Sequence, residues 1–146
     1  MKKLVCCNCS ENHYNAQACV VWCFDDRFSG ALKNFTDFCE FKNFDLVKVA
    51  GGAKSLSSPK EPEGRNFVLD QIKTSIKLHH TPNVILMTHS DCGAYGGLKN
   101  FSNNKEKEKK AHEKELQKAK KFLKNNLPSK IKIMAVFVDF DQIYKV

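Results

Sequence analysis

Ala18-Cys19-Val20-Val21-Trp22-Cys23-Phe24-Asp25-Asp26-Arg27 and Asn83-Val84-Ile85-Leu86-Met87-Thr88-His89-Ser90-Asp91-Cys92 are the two stretches whose reading decides the fold. Each opens as an apolar, strand-like run and closes on residues that can bind a metal. Together they offer two thiolates and one imidazole. Zinc sites that do chemistry commonly take three protein ligands of this kind and keep a fourth position for water. Ligands at the carboxyl ends of two strands converge at one edge of a sheet, which is where open α/β sheets bind their ligands.

Strand-like and helix-like runs alternate around these two anchors, so the expected architecture is α/β, a three-layer arrangement of mostly parallel strands joined by helical crossovers. The first strand is read as residues 18–23. Apolar residues at Phe28, Ala31, Leu32, Phe35, Phe38 and Cys39 recur at steps of three and four, which predicts one helical face over 28–41. A second strand over 46–50 ends in Gly51-Gly52, where the backbone can turn sharply or approach a neighbour closely. Residues 54–62, rich in Ser, Lys and Pro, read as a surface loop before a helix carrying Phe67, Leu69, Ile72 and Ile76, which Pro82 stops ahead of the strand at 83–89. A glycine-bearing turn over 93–97 precedes a long charged helix with a narrow apolar stripe of Leu116, Ala119, Phe122 and Leu123. Pro128 ends that region, 131–138 makes a fourth strand, and 143–146 is a candidate short edge strand.

The chain has 146 residues and 42% hydrophobic content, enough for a single domain over 1–146 with its own core. The charged start at Met1-Lys2-Lys3 gives way at once to polar residues, too short an apolar run for a signal peptide or a membrane span. Seven cysteines, an odd number, point to metal binding or core packing in a reducing compartment, so the expected location is the cytoplasm. The net charge of +8 is concentrated between Lys105 and Lys124, where lysines interleave with glutamates as on a solvated helix face. No pattern of a nucleic-acid module accompanies it. Cys6, Cys7, Cys9 and His13 contain one CxxC spacing, weak by itself, and read as coil or a short strand with small buried thiols. His79, His80 and His112 stand among lysines and read as exposed.

Cysteine thiolate and neutral imidazole suit zinc, whose bound water has its pKa lowered to about 7. Asp25 and Arg27, two residues apart, read as an ion pair in which the guanidinium grips the carboxylate, keeps it ionised and aims it at that water. Unrestrained, Asp25 could instead fill the fourth position itself.

The Cys-x-Asp-x-Arg motif at 23–27, the His-x-x-Cys motif at 89–92 with its following glycine, the Val-Ala-Gly stretch between them and the alternating topology together resemble the β-class carbonic anhydrases. That resemblance implies zinc held by Cys23, His89 and Cys92, with Asp25 and Arg27 as the family's catalytic dyad. It further implies a four-stranded parallel sheet in order 2-1-3-4, and a homodimer or higher homo-oligomer with the cleft at the subunit interface. Two positions depart from the family pattern. Gly52 stands where an Asn often follows Ala-Gly, and Tyr14 stands where an interface glutamine is expected, Gln17 being too close to Cys23.

The leading expectation is reversible hydration of CO₂ to bicarbonate by a zinc-bound hydroxide. The same site would also serve hydrolysis of COS or CS₂. A non-enzymatic alternative is a zinc-stabilised binding module with Asp25 as fourth ligand and the basic helix meeting an acidic partner. No histidine is placed as an obvious proton shuttle.

Overall fold

A computed structural model describes residues 1–146. Five strands form one sheet in the order β2-β1-β3-β4-β5: β1 is Ala18–Trp22, β2 Phe44–Lys48, β3 Asn83–His89, β4 Lys132–Val138 and β5 Ile143–Lys145. The first four are mutually parallel, in the expected order 2-1-3-4, and β5 returns antiparallel on β4 with Val138 opposite Ile143. Four helices complete the fold: α1 Ser29–Phe38, the one-turn α2 Lys54–Ser57, α3 Pro62–His79 and α4 Lys105–Asn126.

Alternate side chains along each strand point to opposite faces, and both faces are covered. Cys19, Val21, Val84, Leu86, Ala135 and Phe137 pack with Leu56 of α2, Val68, Leu69 and Ile72 of α3, and Leu116, Ala119 and Leu123 of α4. Ala18, Val20, Trp22, Ile85, Met87, Val136 and Val138 face the other way, against Phe28, Leu32 and Phe35 of α1 and the turn before it. Central strands buried on both sides explain why 18–22 and 84–87 are written without polar interruption.

The helical face predicted from Phe28 keeps Leu32, Phe35 and the partly buried Cys39 but leaves Phe38 86% exposed, because at the end of the helix its side chain points away from the sheet. Phe67 of α3 likewise faces outward, while Val68 beside it is buried. The expected surface loop over 54–62 begins instead with α2, whose Leu56 is fully buried. Covering one leucine is worth about 1.5–3 kcal/mol, enough to override a polar, proline-rich surrounding sequence. The second strand starts two residues earlier than its apolar run, since Phe44 and Asp45 pair with Ala18 and Cys19.

Gly51 and Gly52 close the space above the strand ends. Gly52 has φ +55°, and a Cβ there would lie 2.3 Å from the Met87 carbonyl oxygen and 3.1 Å from the Cys23 nitrogen. Only glycine lets the segment after β2 cross this closely over β1 and β3. The departure from the family pattern at this position therefore has a steric reason.

Candidate metal centre

Because β1 and β3 are adjacent and parallel, with Val20 opposite Ile85, their carboxyl ends lie side by side. Cys23 is the first residue beyond β1, His89 is the last of β3, and Cys92 follows a sharp turn in which Asp91 takes φ 52°. One ligand atom from each of the three lies within 4.8 Å of the others, with the two sulfurs 4.0 Å apart and all three residues buried. The His89 Nδ1–H donates to the Ser90 carbonyl at 2.8 Å, an assignment from the hydrogen-bond pattern that leaves the lone pair on Nε2. Nε2 is buried with no protein partner. Such an orphan costs roughly 1–3 kcal/mol, which a metal ion in reach of it offsets. Two thiolates and an imidazole make a donor set for a borderline-soft divalent ion, and zinc fits it.

The electrostatics favour a cation at the same point. The neighbouring Cys92 thiol, with His89 and the backbone N–H groups of Asp25 and Gly51, holds the Cys23 thiol down to about 4 against the opposing effect of burial. Cys92 moves the other way, raised by its hydrogen bond to Cys23 and by desolvation. The pair surrenders its first proton readily and keeps its second, which a divalent ion would displace.

Asp25 does not join the three donors. Arg27 engages both of its oxygens: Nε lies 3.0 and 3.2 Å from Oδ1 and Oδ2, and Nη2 lies 2.7 Å from Oδ2. The Arg27 backbone N–H adds a bond to Oδ1 at 3.1 Å, so Asp25 also caps the short turn that follows it. The Arg27 guanidinium, ahead of any other cause, lowers the Asp25 carboxyl to about 2. The guanidinium has a second anchor that sequence reading did not foresee. Nη1 donates to Asp91 Oδ2 at 3.0 Å and Nη2 to the Asp91 carbonyl at 3.1 Å. Asp91 Oδ1 accepts from the Leu98 N–H at 3.0 Å, fastening the turn after the ligands.

Behind the donors, α4 supplies two buried polar residues. His112 is fully enclosed rather than exposed among the lysines, its ring 4.3 Å from that of Tyr95 and 5.2 Å from that of Phe137. Burial lowers it to about 4, so the ring is neutral, and neither nitrogen has a partner. Tyr95 packs against Cys23 and Cys92, and burial raises its hydroxyl. Glu108 is 1% exposed and accepts the Asp91 N–H at 2.8 Å; desolvation raises its carboxyl. The apolar stripe read from Leu116 carried the clue, since stepping back by four from 116 reaches 112 and then 108.

The remaining candidates lie elsewhere. Cys6, Cys7, Cys9 and His13 are exposed, not buried, and do not gather into a donor cluster. Cys19 is core, with burial raising its thiol to about 12. His79 is half-buried at the opposite end of the sheet, its Nδ1 2.8 Å from Asp45 Oδ2, and Tyr14 donates to Asp45 Oδ1 at 2.6 Å. Tyr14 therefore clips the N-terminal segment to β2. His80 is exposed as read.

Residues 13–146 match the family model described as "Putative carbonic anhydrase". An uncharacterized protein of Rickettsia bellii is 31% identical over 109 residues, spanning 70% of this chain and 66% of that protein. A second Rickettsia relative, from R. conorii, is also 31% identical, with 59% of its length spanned. The chain thus aligns with somewhat under two thirds of these relatives. Among solved structures, a β-carbonic anhydrase of Trichomonas vaginalis superposes with a TM-score of 0.60 at 16% identity, covering 98% of this chain and 87% of that one. Carbonic anhydrase from Streptococcus mutans gives 0.62 at 19%, covering 92% and 83%. The apo form of a carbon disulfide hydrolase gives 0.58 at 14%, covering 91% and 79%. At these identities the structures speak for the fold, while the family match covers nearly the whole sequence. With its strand order and the convergence of Cys23, His89 and Cys92 already in view, the chain belongs to the putative carbonic anhydrase family and carries the fold of the β-carbonic anhydrases.

Proposed function

We propose that the chain is a zinc-dependent carbonic anhydrase, interconverting CO₂ and bicarbonate, with Cys23, His89 and Cys92 as ligands and Asp25 and Arg27 as the catalytic dyad. The observation that carries this reading is a division of labour at the strand ends. Two thiols and an imidazole converge, the orphaned Nε2 among their ligand atoms, while the Asp25 carboxylate is gripped by Arg27 and stays out of the cluster. Zinc in that donor set supplies a water acidified toward neutral pH as the nucleophile for an electrophilic carbon.

The protein's own residues prepare that chemistry. Asp25, kept ionised by Arg27, only accepts hydrogen bonds, so it orients a group that presents a proton to it and turns away one that does not. Asp91 takes the far side of the guanidinium and gives Arg27 a second anchor beside Asp25. Phe28, its ring 4.3 Å from His89, and Tyr95 pack against the donors and hold them in place. No histidine serves as a shuttle in this reading, because His112 is sealed and His79 is bound to Asp45 at the other sheet end. The proton leaves to solvent buffer.

The same donors would serve COS or CS₂, a reading favoured by the likeness to a carbon disulfide hydrolase. We read residues 1–146 as one domain with one continuous sheet, acting in the cytoplasm, where seven free cysteines stay reduced. No helix of the chain is long and apolar enough to cross a membrane. A homodimer or larger assembly is supported by the apolar residues left exposed beside the site, Phe24 and Phe140.

The test is stopped-flow CO₂ hydration with zinc-loaded protein and its Cys23→Ser variant, run beside COS and CS₂ turnover. Zinc-dependent hydration lost in the variant supports the proposal. Zinc-loaded protein inert toward CO₂ overturns it, and turnover of the sulfur compounds alone moves the assignment to them.

A further inference from the structure

Glu108 sits on the lysine-rich helix α4, nineteen residues along the chain from His89 and without any role in the motifs, yet its side chain is almost completely buried. The one hydrogen bond recorded for it is the Asp91 N–H, at 2.8 Å. That N–H belongs to the peptide unit joining Ser90 to Asp91. The carbonyl of the same unit, that of Ser90, accepts the His89 Nδ1–H at 2.8 Å. One rigid, planar amide therefore links the buried carboxyl group of Glu108 to the imidazole of a candidate ligand.

Resting on the metal-centre reading above, we propose that Glu108 is a positioning residue for the metal: through the Ser90–Asp91 peptide it fixes the tautomer and the aim of His89. Metal-binding histidines usually give their second ring N–H to a carboxylate or a carbonyl, which sets ring orientation and raises ligand basicity. Here the carbonyl is backbone and the carboxyl group stands one amide behind it. An acceptor on the N–H of an amide polarises its carbonyl, so the Glu108 bond strengthens the acceptor that His89 uses.

Geometry shows why such an anchor is needed. Asp91 takes φ 52°, a left-handed conformation that aspartate adopts where local hydrogen bonds hold it. The Asp91 carbonyl and side chain are already committed to Arg27 and to the Leu98 N–H. Its N–H is the remaining handle on the peptide plane, and Glu108 holds it from the core side. Removing that bond lets the amide rotate, and His89 loses both its partner and its direction. Glu108 is not among the three ligand residues and makes no hydrogen bond to them.

The experiment compares wild type, Glu108→Gln and Glu108→Leu by zinc competition against a chelator and by ¹⁵N–¹H correlation spectra of the His89 ring. In Glu108→Leu, zinc affinity falls about 10- to 100-fold, the range typical of lost outer partners, and the ring resonances lose the single-tautomer pattern. In Glu108→Gln the amide oxygen still accepts the Asp91 N–H, so tautomer pattern and affinity stay within about threefold of wild type. Should the leucine variant fail to fold, a glutamine variant with scrambled tautomers overturns the inference, and one with the wild-type pattern supports it. A folded Glu108→Leu protein with wild-type affinity and ring spectrum overturns it alone. Neither readout uses CO₂, so an inactive enzyme leaves it standing, whereas a wild-type chain that takes up no zinc overturns the metal-centre reading and this inference together.

Discussion

The strand ends and the inner face of α4 meet at the same centre, yet they are built on opposite terms. At the strand ends, Cys23, Asp25, Arg27, His89 and Cys92 fall within two short motifs, and the groups that meet there are spelled in order along the chain. On α4, Glu108 and His112 lie amid a lysine-rich run and are buried only because the helix turns them inward. Local spacing thus writes the donors, and long-range packing decides what stands behind them.

The sharpest way to break this contrast is at a donor. Cys23→Ser should lower CO₂ hydration by at least about 10³-fold, near 4 kcal/mol of transition-state stabilisation, and reduce zinc content to background by elemental analysis. A variant retaining both zinc and turnover would show that the strand ends do not carry the chemistry.

On the α4 side the expected effect is on stability. His112 is held near 4 in the fold and titrates near 6.5 when unfolded, so below pH 6.5 the unfolded chain takes up a proton that the native one refuses. Stability is therefore lost as pH falls from 6.5 to 4, by about 3 kcal/mol over that window. Urea unfolding at pH 7 and pH 5, with chelator present, should show a steep loss in wild type and a shallower one in His112→Leu. Equal slopes would mean the buried ring does not set the acid sensitivity.

Arg27→Leu tests the dyad between these two regions. Freed of the guanidinium, Asp25 should climb from about 2 toward its ordinary 3.8 and lose its fixed orientation. A fall of about 10- to 100-fold in kcat/KM with zinc content unchanged is expected, and wild-type kinetics would remove Arg27 from the mechanism. The smallest effect belongs to the outer face of α4. Lys114→Gln should change stability by less than about 0.5 kcal/mol and leave turnover unaltered, since its side chain faces solvent.

Much of this was legible before any coordinates. The parallel order 2-1-3-4 follows from the family resemblance and the short edge strand from the reading of alternating runs, its antiparallel direction being shown by the structure, and the predicted strands agree with the observed ones to within two residues at either end. The misreadings share a cause. Phe38 obeys helical spacing but turns outward between Phe35 and Cys39, which pack on the sheet, while Leu56 sits in a polar, proline-rich stretch and is buried by α3 and α4. Spacing reports which side of an element is apolar, and it is silent on whether a neighbour arrives to cover that side.

The sequence by itself determined which residues meet at the strand ends, Cys23, His89 and Cys92 with Asp25 and Arg27 beside them, because each motif spans a few residues after a strand and local backbone geometry carries them to one sheet edge. Only the tertiary structure decided that Asp91 shares the guanidinium, that His112 is sealed and that Glu108 grips the peptide beside His89. Those three depend on where α4 and the turn after Cys92 pack in space. That packing is set by contacts between segments far apart in the chain, and no short window of residues records it.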